Sequence, residues 1–510
     1  MKRSEGRGGT AQEPGSLGRI LPMLLPALLI AALAVPAGAA LSPGFLGPPA
    51  PPEPVAAGPW QQVPETLSSA GAAGHPAALQ PLTGTAPMPG AAVLAAKLTA
   101  TLKADGAGSF SGVVQDAVTG KVLFDRSGDE LRAPASNIKL LTAAAALRTL
   151  GPETRFSTRV VAGPAPGSVV LTGGGDVLLG AGDSEPNAVL GHAGLATLAR
   201  STARALQQAG ATTKVKVLLD DSLFSGPALN PAWSPEDVAA GEVAPLFPLA
   251  LNSARYDPDV TAGPRPRDAA LTAAQAFADR LSAAGVTVAA GVNRAPALPT
   301  PSPAPAKPDT ESGGASGWQA GAVLAEVQSA TVGQQVDLML RTSDNYLAEV
   351  LGRMVAAAEG KPASNDGAVA AVLQQLEELK VPAATLRAAD LAGLTLANKV
   401  SARQLSAVVR AMTSGPDTRL RSALAGFPVA GLTGTLDSRY TDSSTAGGAG
   451  LVRAKTGTLN TVIALSGYVV DADGRLLVFS FIGNGLTPGA AGNKVALDRA
   501  ASILAGCGCR

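Results

Sequence analysis

ASNIKLLTAAAALRTL, residues 135–150, sets Leu140, Leu141, Leu147 and a block of alanines around nearly every face of a helix. A helix that is apolar all round is buried all round, so this segment predicts the centre of a domain. Lys139 stands on a face where such a helix has no packing reason to carry charge. Ser136 lies three residues earlier, in the first turn. Its backbone N–H is there among the unsatisfied donors at the positive end of the helix dipole, where an anionic tetrahedral intermediate is stabilised. Lys139 projects from the same face and can reach the Ser136 hydroxyl.

Outward from this helix, residues 91–104 read as an Ala/Leu helix. The strand-like GSFSGVVQDAV, the turn Thr119-Gly120 and the strand-like KVLFDR follow it. Near the other end of the chain LVRAKTG, TVIALSGYVV and RLLVFSFIGN, the last two joined at Asp473-Gly474, read as three successive antiparallel strands, and residues 492–504 as a closing amphipathic helix. The expected class is α+β. One antiparallel sheet carries the first and last helices on one face and a helical cluster on the other, which joins both ends of the chain in one domain. Between about Arg155 and Trp318, short β-like segments (RFSTRVVAG, SVVLTGG, KVKVLLDDSLF) alternate with helical stretches, giving a large mixed α/β insertion.

The expected organisation is an export segment at 1–40, a Pro/Ala/Gly-rich spacer at 41–90, the first part of the sheet domain at 91–154, the insertion at 155–318 and the second part at 319–510. A second Pro-rich tract, PALPTPSPAPAKPDTESGGAS at 296–316, is expected as a long surface loop. In the export segment Lys2, Arg3, Arg7 and Arg19 precede the apolar run from Ile20 to Val35, and Ala37-Gly38-Ala39 offers a cleavage site. Pro22 and Pro26 interrupt that run, which falls short of the roughly 20 residues of a spanning helix. It is read as a signal peptide, with an uncleaved signal anchor and membrane attachment as the alternative, and places the protein in the extracytoplasmic space or cell envelope.

Composition excludes several classes. The 510 residues carry 40 Lys plus Arg against 39 Asp plus Glu, a formal charge of +1, which gives no electrostatic footprint for nucleic acid. Aromatics at 3% also leave few stacking platforms for single strands. Only His75 and His192 are available as imidazoles, and no H-E-x-x-H or paired C-x-x-C occurs, so no metal is expected. A serine acting here needs a base other than histidine. Cys507 and Cys509, separated by one glycine, close too short a loop for an easily formed unstrained disulfide and read as tail residues.

Two further short motifs complete a constellation. A lysine takes a serine proton only as the neutral amine, so its reference pKa of about 10.4 must fall through desolvation or a neighbouring cation. Lys455-Thr456-Gly457-Thr458 ends a strand and supplies a second cation, while its hydroxyls can bind a substrate carboxylate. Strict alternation sets Lys455 and Thr456 on opposite faces, so both serve one site only along a twisted strand edge. Ser343-Asp344-Asn345 opens the helical DNYLAEVLGRMVAAAEG. Ser343 can relay a proton between the lysines and a leaving amine, Asn345 can bond a substrate amide, and Asp344 caps the helix. Each motif alone is ordinary; the set in this order, each on a suitable element, is not.

The set S-x-x-K, S-D-N, K-T-G is the signature of penicillin-binding proteins and class A β-lactamases. With GGGDVLL at 173–179, LLDDSLFSGPALNPAWSPED at 218–237 and FPVAGLTGTLDSRY at 427–440, the chain resembles the D-alanyl-D-alanine carboxypeptidase/endopeptidase family of class C low-molecular-mass penicillin-binding proteins. The resemblance implies a β-lactamase/transpeptidase-like domain and a serine peptidase. Such an enzyme hydrolyses D-Ala bonds of peptidoglycan stem peptides through an acyl-serine, is acylated covalently by β-lactams, and uses no cofactor. It also implies Ser136 as nucleophile, Lys139 as base and Ser343 as relay. Asn345, Lys455, Thr456 and Thr458 become substrate-binding residues, and the N–H groups of Ser136 and Thr458 the oxyanion hole. Two departures stand out: Val177 where the family has proline, and Asp390-Leu391-Ala392-Gly393-Leu394 where Asp-Gly-Ser-Gly-Leu is usual.

Two rivals share these motifs. A secreted serine β-lactamase needs a carboxylate to activate the deacylating water, in an E-x-x-L-N segment after S-D-N; Glu377 and Glu378, in LEELKVP, lack the following Asn. A catalytically inactive cell-wall binding protein of the same fold has no use for Ser136, Lys139 and Lys455, which would then be polar burdens in a core.

Overall fold

The computed structural model describes residues 85–210, 214–260, 263–295 and 318–508. The export segment, nearly all of the spacer and the Pro-rich tract at 296–316 lie outside the described residues.

In chain order the elements begin α1 (Ala91–Thr101), β1 (Ala107–Asp116), β2 (Val122–Arg126), α2 (Lys139–Thr149), β3 (Ser157–Ala162) and β4 (Ser168–Thr172). They continue α3 (Leu195–Gln208), β5 (Lys216–Asp220), α4 (Pro235–Ala240), α5 (Ala269–Ala283), β6 (Asn293–Arg294) and β7 (Val323–Gln328). The last are α6 (Val332–Thr342), α7 (Asn345–Ala358), α8 (Asn365–Glu378), α9 (Ala402–Ser414), β8 (Arg453–Leu459), β9 (Val462–Val470), β10 (Leu476–Thr487) and α10 (Lys494–Ala505).

The first sheet has the order β2-β1-β10-β9-β8, antiparallel throughout. Pairing of β1 with β10 ties the two ends of the fold together. The period-2 alternation of strands feeds two cores. Leu477, Phe479 and Phe481 of β10 face one side with Leu94 and Leu98 of α1 and Leu497 and Leu504 of α10. Val478 and Ile482 face the other side, with α2 and the helices around it. Because both faces are covered, β9 and β10 read as nearly continuous apolar runs. The four alanines 143–146 of α2 are fully buried, and their small side chains let α6, α7, α8 and α9 pack close around it.

The second sheet, β6-β5-β4-β3-β7, is mixed: β4, β5 and β6 run parallel, and β3 pairs antiparallel with β4 and β7. Helices α3 and α5 cover one face through Leu195, Leu198, Leu206, Phe277 and Leu281. Strand β7 lies past Trp318, so this sheet takes in six residues that the sequence reading gave to the other part of the chain.

The cysteine reading needs correction. Cys507 is buried at the end of α10, among the residues that pack α10 onto the first sheet, and is disulfide-bonded. The spacing argument weighed strain in the short loop, and strain disfavours such a bond without forbidding it.

Candidate active site

Ser136 and Lys139 come together through a tighter turn than the α-helix expected there. Residues Ala135–Ile138 form a 3-10 turn and α2 starts only at Lys139. Residues three apart eclipse in a 3-10 turn, which stacks the lysine over the serine. Ala135, directly before the serine, has φ near +47°, a left-handed conformation unfavourable for a residue with a Cβ. Gly393 permits this kink. A Cβ there would lie 2.1 Å from the Ala135 carbonyl oxygen and 2.8 Å from the Ser136 nitrogen.

Lys139 is fully buried, and its Nζ has three partners: Ser136 Oγ at 2.9 Å, Asn345 Oδ1 at 2.7 Å and the Ala392 carbonyl at 2.5 Å. The last two can only accept. A neutral amine has two N–H groups to give them, and its lone pair is then left for the serine O–H, the arrangement a general base requires. Burial pushes this ammonium down to about 8, while Asp390, Asp344, Glu349 and Glu242 pull the other way. The sequence argument offered desolvation or a neighbouring cation for that depression, with Lys455 as the cation. Here desolvation does it, and the repulsion between the lysines is felt at Lys455.

Lys455 is also fully buried and donates to Ser343 Oγ at 2.9 Å and to the Thr456 carbonyl at 2.8 Å. Burial and the proximity of Lys139 hold it well below the usual lysine range. The two lysines therefore serve two hydroxyls, Lys139 that of Ser136 and Lys455 that of Ser343. Ser343 sits with φ near +61° between α6 and α7, and Asp344 caps α7 by accepting from the Leu347 N–H at 2.9 Å.

Strand β8 is an edge strand, and this is how residues on its two faces reach one cleft. The Ala454 N–H points to the outer edge, where it donates to Pro428 O at 3.0 Å. By the two-residue period the N–H groups of Thr456 and Thr458 point to that edge as well. Two cavities, of about 420 and 680 Å3, adjoin there, and Ser136, Asn345, Glu242 and Thr458 line both. Thr456 lines the smaller one, its Oγ1 2.7 Å from Thr435 Oγ1, with Arg439 and Lys494 on the same wall. Arg439 is already paired with Asp498 through two bonds of 3.0 and 2.6 Å. Asn345, expected as a substrate contact, spends its oxygen on Lys139 and its nitrogen on the Glu242 carbonyl at 2.9 Å.

The sequence reading singled out the segment 390–394 but not how it supports the site, and it did not name Glu349. The loop 390–395 folds around Asp390, whose carboxylate accepts from the N–H groups of Gly393, Leu394 and Thr395, from Asn398 and from the Trp233 indole. Glu349 accepts from the N–H groups of Leu391 and Ala392, both at 2.7 Å, and so aims the Ala392 carbonyl at Lys139. Burial, with Asp390 nearby, pushes Glu349 up to about 8. Its place four residues after Asn345, on one helix face, was the available signal. Among the described residues no cluster of His, Cys, Asp and Glu is arranged to hold a metal ion.

Comparison with known proteins gives consistent findings. The model of the D-Ala-D-Ala carboxypeptidase 3 (S13) family matches residues 94–271 and 259–504. A carboxypeptidase of Mycobacterium tuberculosis is 37% identical over 439 residues, covering 85% of this chain and 88% of the relative. A D-alanyl-D-alanine carboxypeptidase of Actinomadura is 32% identical over 441 residues, covering 74% of this chain and 78% of the relative. Among solved structures, penicillin-binding protein 4 of Haemophilus influenzae superposes with a TM-score of 0.60 at 21% identity, over 79% of this chain and 97% of that one. A second structure of that protein, complexed with a β-lactam, superposes with a TM-score of 0.55.

Proposed function

The chain belongs to the D-Ala-D-Ala carboxypeptidase 3 (S13) family, and on that premise we propose how its cleft carries out the family's reaction. The protein is a serine-type D-Ala-D-Ala carboxypeptidase, a hydrolase of peptidoglycan stem peptides that is acylated by β-lactams. The observation that carries the site assignment is Lys139 Nζ at 2.9 Å from Ser136 Oγ with two acceptor-only groups as its other partners.

Ser136 Oγ attacks the carbonyl carbon of the scissile D-Ala bond as Lys139 takes its proton. Negative charge on the carbonyl oxygen is met by the N–H groups of Ser136 and Thr458. The Thr456 and Thr458 hydroxyls receive the carboxylate of the leaving residue, with Thr435 behind Thr456 and the Lys455 and Lys494 charges on its side of the cleft. Asn345 holds Lys139 and borders the acyl half. Collapse of the intermediate passes a proton through Ser343 to the departing amine, and water then cleaves the acyl-serine. Cutting a terminal D-Ala and cutting a D-Ala cross-link share this acyl-enzyme and differ only in leaving group.

The rival readings are not favoured. The S13 match runs through both sheets, whereas a β-lactamase needs neither the second sheet nor a peptide-binding edge. We read residues from 155 to the end of β7 as an inserted unit between the first two motifs. The substrate class implies extracytoplasmic action in the cell envelope, with the N-terminal segment as the means of export or attachment. No helix among the described residues is long and apolar enough to cross a membrane.

Labelling with a fluorescent penicillin tests the assignment. Persistent labelling of wild type with none of Ser136→Ala is expected; labelling of the alanine variant, or rapid loss of label from wild type, overturns it. Free D-Ala against loss of dimeric muropeptides, measured on purified sacculi, separates carboxypeptidase from endopeptidase action.

A further inference from the structure

Three consecutive residues that open α7 are each held by one stretch of the inserted region. Asp344 accepts from Ser253 Oγ at 2.9 Å and pairs with the Arg255 guanidinium at 3.0 Å. Asn345 Nδ2 donates to the Glu242 carbonyl at 2.9 Å. The Tyr346 hydroxyl, fully buried, accepts from the Phe247 N–H at 3.1 Å. The stretch is itself braced. Arg265 donates to the carbonyls of Gly241, at 2.5 Å, and Ser253, at 2.8 Å, tying its two ends together.

Its backbone is under strain at the point of contact. Asn252, Ser253 and Ala254 have φ near +52°, +56° and +56°, three successive residues with side chains in the left-handed region, and Ser253 and Ala254 are buried. Ordinary residues adopt that conformation singly and at a cost, and a run of three persists only where the surroundings over-determine it. The strained turn is what brings the Ser253 hydroxyl and the Arg255 side chain together on Asp344.

The geometry points to Ser253 and Arg255 as positioning residues for acylation: the inserted region grips Asp344 and thereby fixes Ser343 on one side of it and Asn345, with Lys139, on the other. This rests on the reading of Ser136, Lys139 and Ser343 given above and assigns the insertion a part in the chemistry. Arg255 also sets charge balance. Lys139 faces Asp344 and Glu349 from α7 and its cap, Asp390 from the 390–395 loop, Glu242 from the inserted stretch, and Lys455 from β8. The four carboxylates favour its protonated form, burial opposes it, and Arg255 with Arg265 offsets Asp344. Without the Arg255 guanidinium only Arg265 offsets Asp344, more of its charge acts on Lys139, and the base holds its proton to higher pH.

The test is the second-order acylation constant of the full chain with a fluorescent penicillin, measured from about pH 6 to pH 10 and paired with thermal unfolding. In Arg255→Met the constant at neutral pH is expected to fall about tenfold, the consequence of a one-unit rise in the pH limb of the base. Arg255→Lys is expected to restore most of the rate and return the limb toward its wild-type position. Ser253→Ala keeps both charges, so it is expected to lower the constant with the limb unmoved. Folded Arg255→Met with a wild-type constant and an unmoved limb overturns the inference. Should that variant not fold, Ser253→Ala decides, and a wild-type constant there overturns it. Failure of wild type itself to be acylated at Ser136 would instead sink the reading of the site.

Discussion

Lys455 Nζ donates to Ser343 Oγ at 2.9 Å, across 112 positions of chain, while Lys139 serves Ser136. Each hydroxyl thus has its own amine, and in the proposed mechanism the proton taken from Ser136 reaches the leaving nitrogen through Ser343. Ser343→Ala cuts that path without disturbing the Ser136–Lys139 contact. The expected result is a loss of about 10²–10⁴ in acylation by peptide substrates, typical of a removed proton-transfer group, with thermal stability nearly unchanged. Stopped-flow acylation alongside thermal unfolding checks both halves.

Among the described residues no carboxylate pairs with Lys455, whose ammonium is opposed by burial and by Lys139, whereas Lys139 is ringed by four carboxylates. A substrate carboxylate arriving at Thr456 supplies the missing anion. It favours charge on Lys455, and that charge repels a proton on Lys139. The base should therefore be easier to deprotonate in the complex than in the free enzyme. For a peptide with a free terminal carboxylate, the rising limb of kcat is expected at lower pH than that of kcat/KM. With the C-terminal amide the two limbs should coincide. Coincident limbs for both peptides would refute this coupling.

Since burial holds Lys139 near 8, the sign of its pH effect is fixed. Only the neutral amine accepts a proton, so acylation of the free enzyme by a penicillin is expected to rise about tenfold per pH unit below that value and level off above it. Lys139→Ala removes the rise together with about 10²–10⁴ of the rate. A pH-independent wild-type rate would remove Lys139 from the role of base.

Much of this was legible in the primary structure, for a physical reason. Helix α2 and strands β9 and β10 are covered on both faces, so their patterns are almost wholly apolar, and Lys139 stands out in α2 as a charge that packing does not explain, while Ser136, Ser343 and Lys455, on other elements, were legible from the order of their motifs. What sequence did not disclose depends on contacts between distant segments. Periodicity cannot tell that the Ala392 carbonyl faces Lys139, since any residue has a carbonyl. The 3-10 turn at Ala135–Ile138 needs Gly393 pressed against it from more than 250 residues away. Nor did β-like spacing reveal that β7, beyond the Pro-rich tract, returns to pair with β3.

Gly393 gives a direct test of that remote support. Its φ is near +88° and its Cα packs on the kinked Ala135, so Gly393→Ala meets both a disfavoured backbone and a 2.1 Å clash with backbone oxygen. Neither atom belongs to a flexible side chain, and the turn carrying Ser136 must shift. Displacements of about 1 Å cost on the order of 10²-fold in rate, which is the loss of acylation expected for this variant. An alanine variant labelled at the wild-type rate would show that the turn holds its shape unaided.

Stability and chemistry should separate at one end of the inner strands of the first sheet, where the buried carboxylate of Asp116 pairs with Arg475 between β1 and the β9–β10 turn. Burial works against charge on Asp116, but bonds from Arg475 and Thr119 outweigh it and hold the carboxyl down to about 2, against 3.8 for the ordinary side chain. A folded pKa below the unfolded one stabilises the protein above the unfolded value, and that contribution is lost as pH falls from about 4 through about 2. Arg475→Met leaves the carboxylate buried without its cation, which typically costs about 3–5 kcal/mol. The expected outcome is a marked drop in thermal midpoint at neutral pH, partly relieved near pH 3 where Asp116 of the variant takes up a proton. The fraction that remains folded should bind penicillin at the wild-type rate, because no atom of this pair touches the cleft. Equal destabilisation at both pH values would mean that the pair's charge is not what holds these strand ends together.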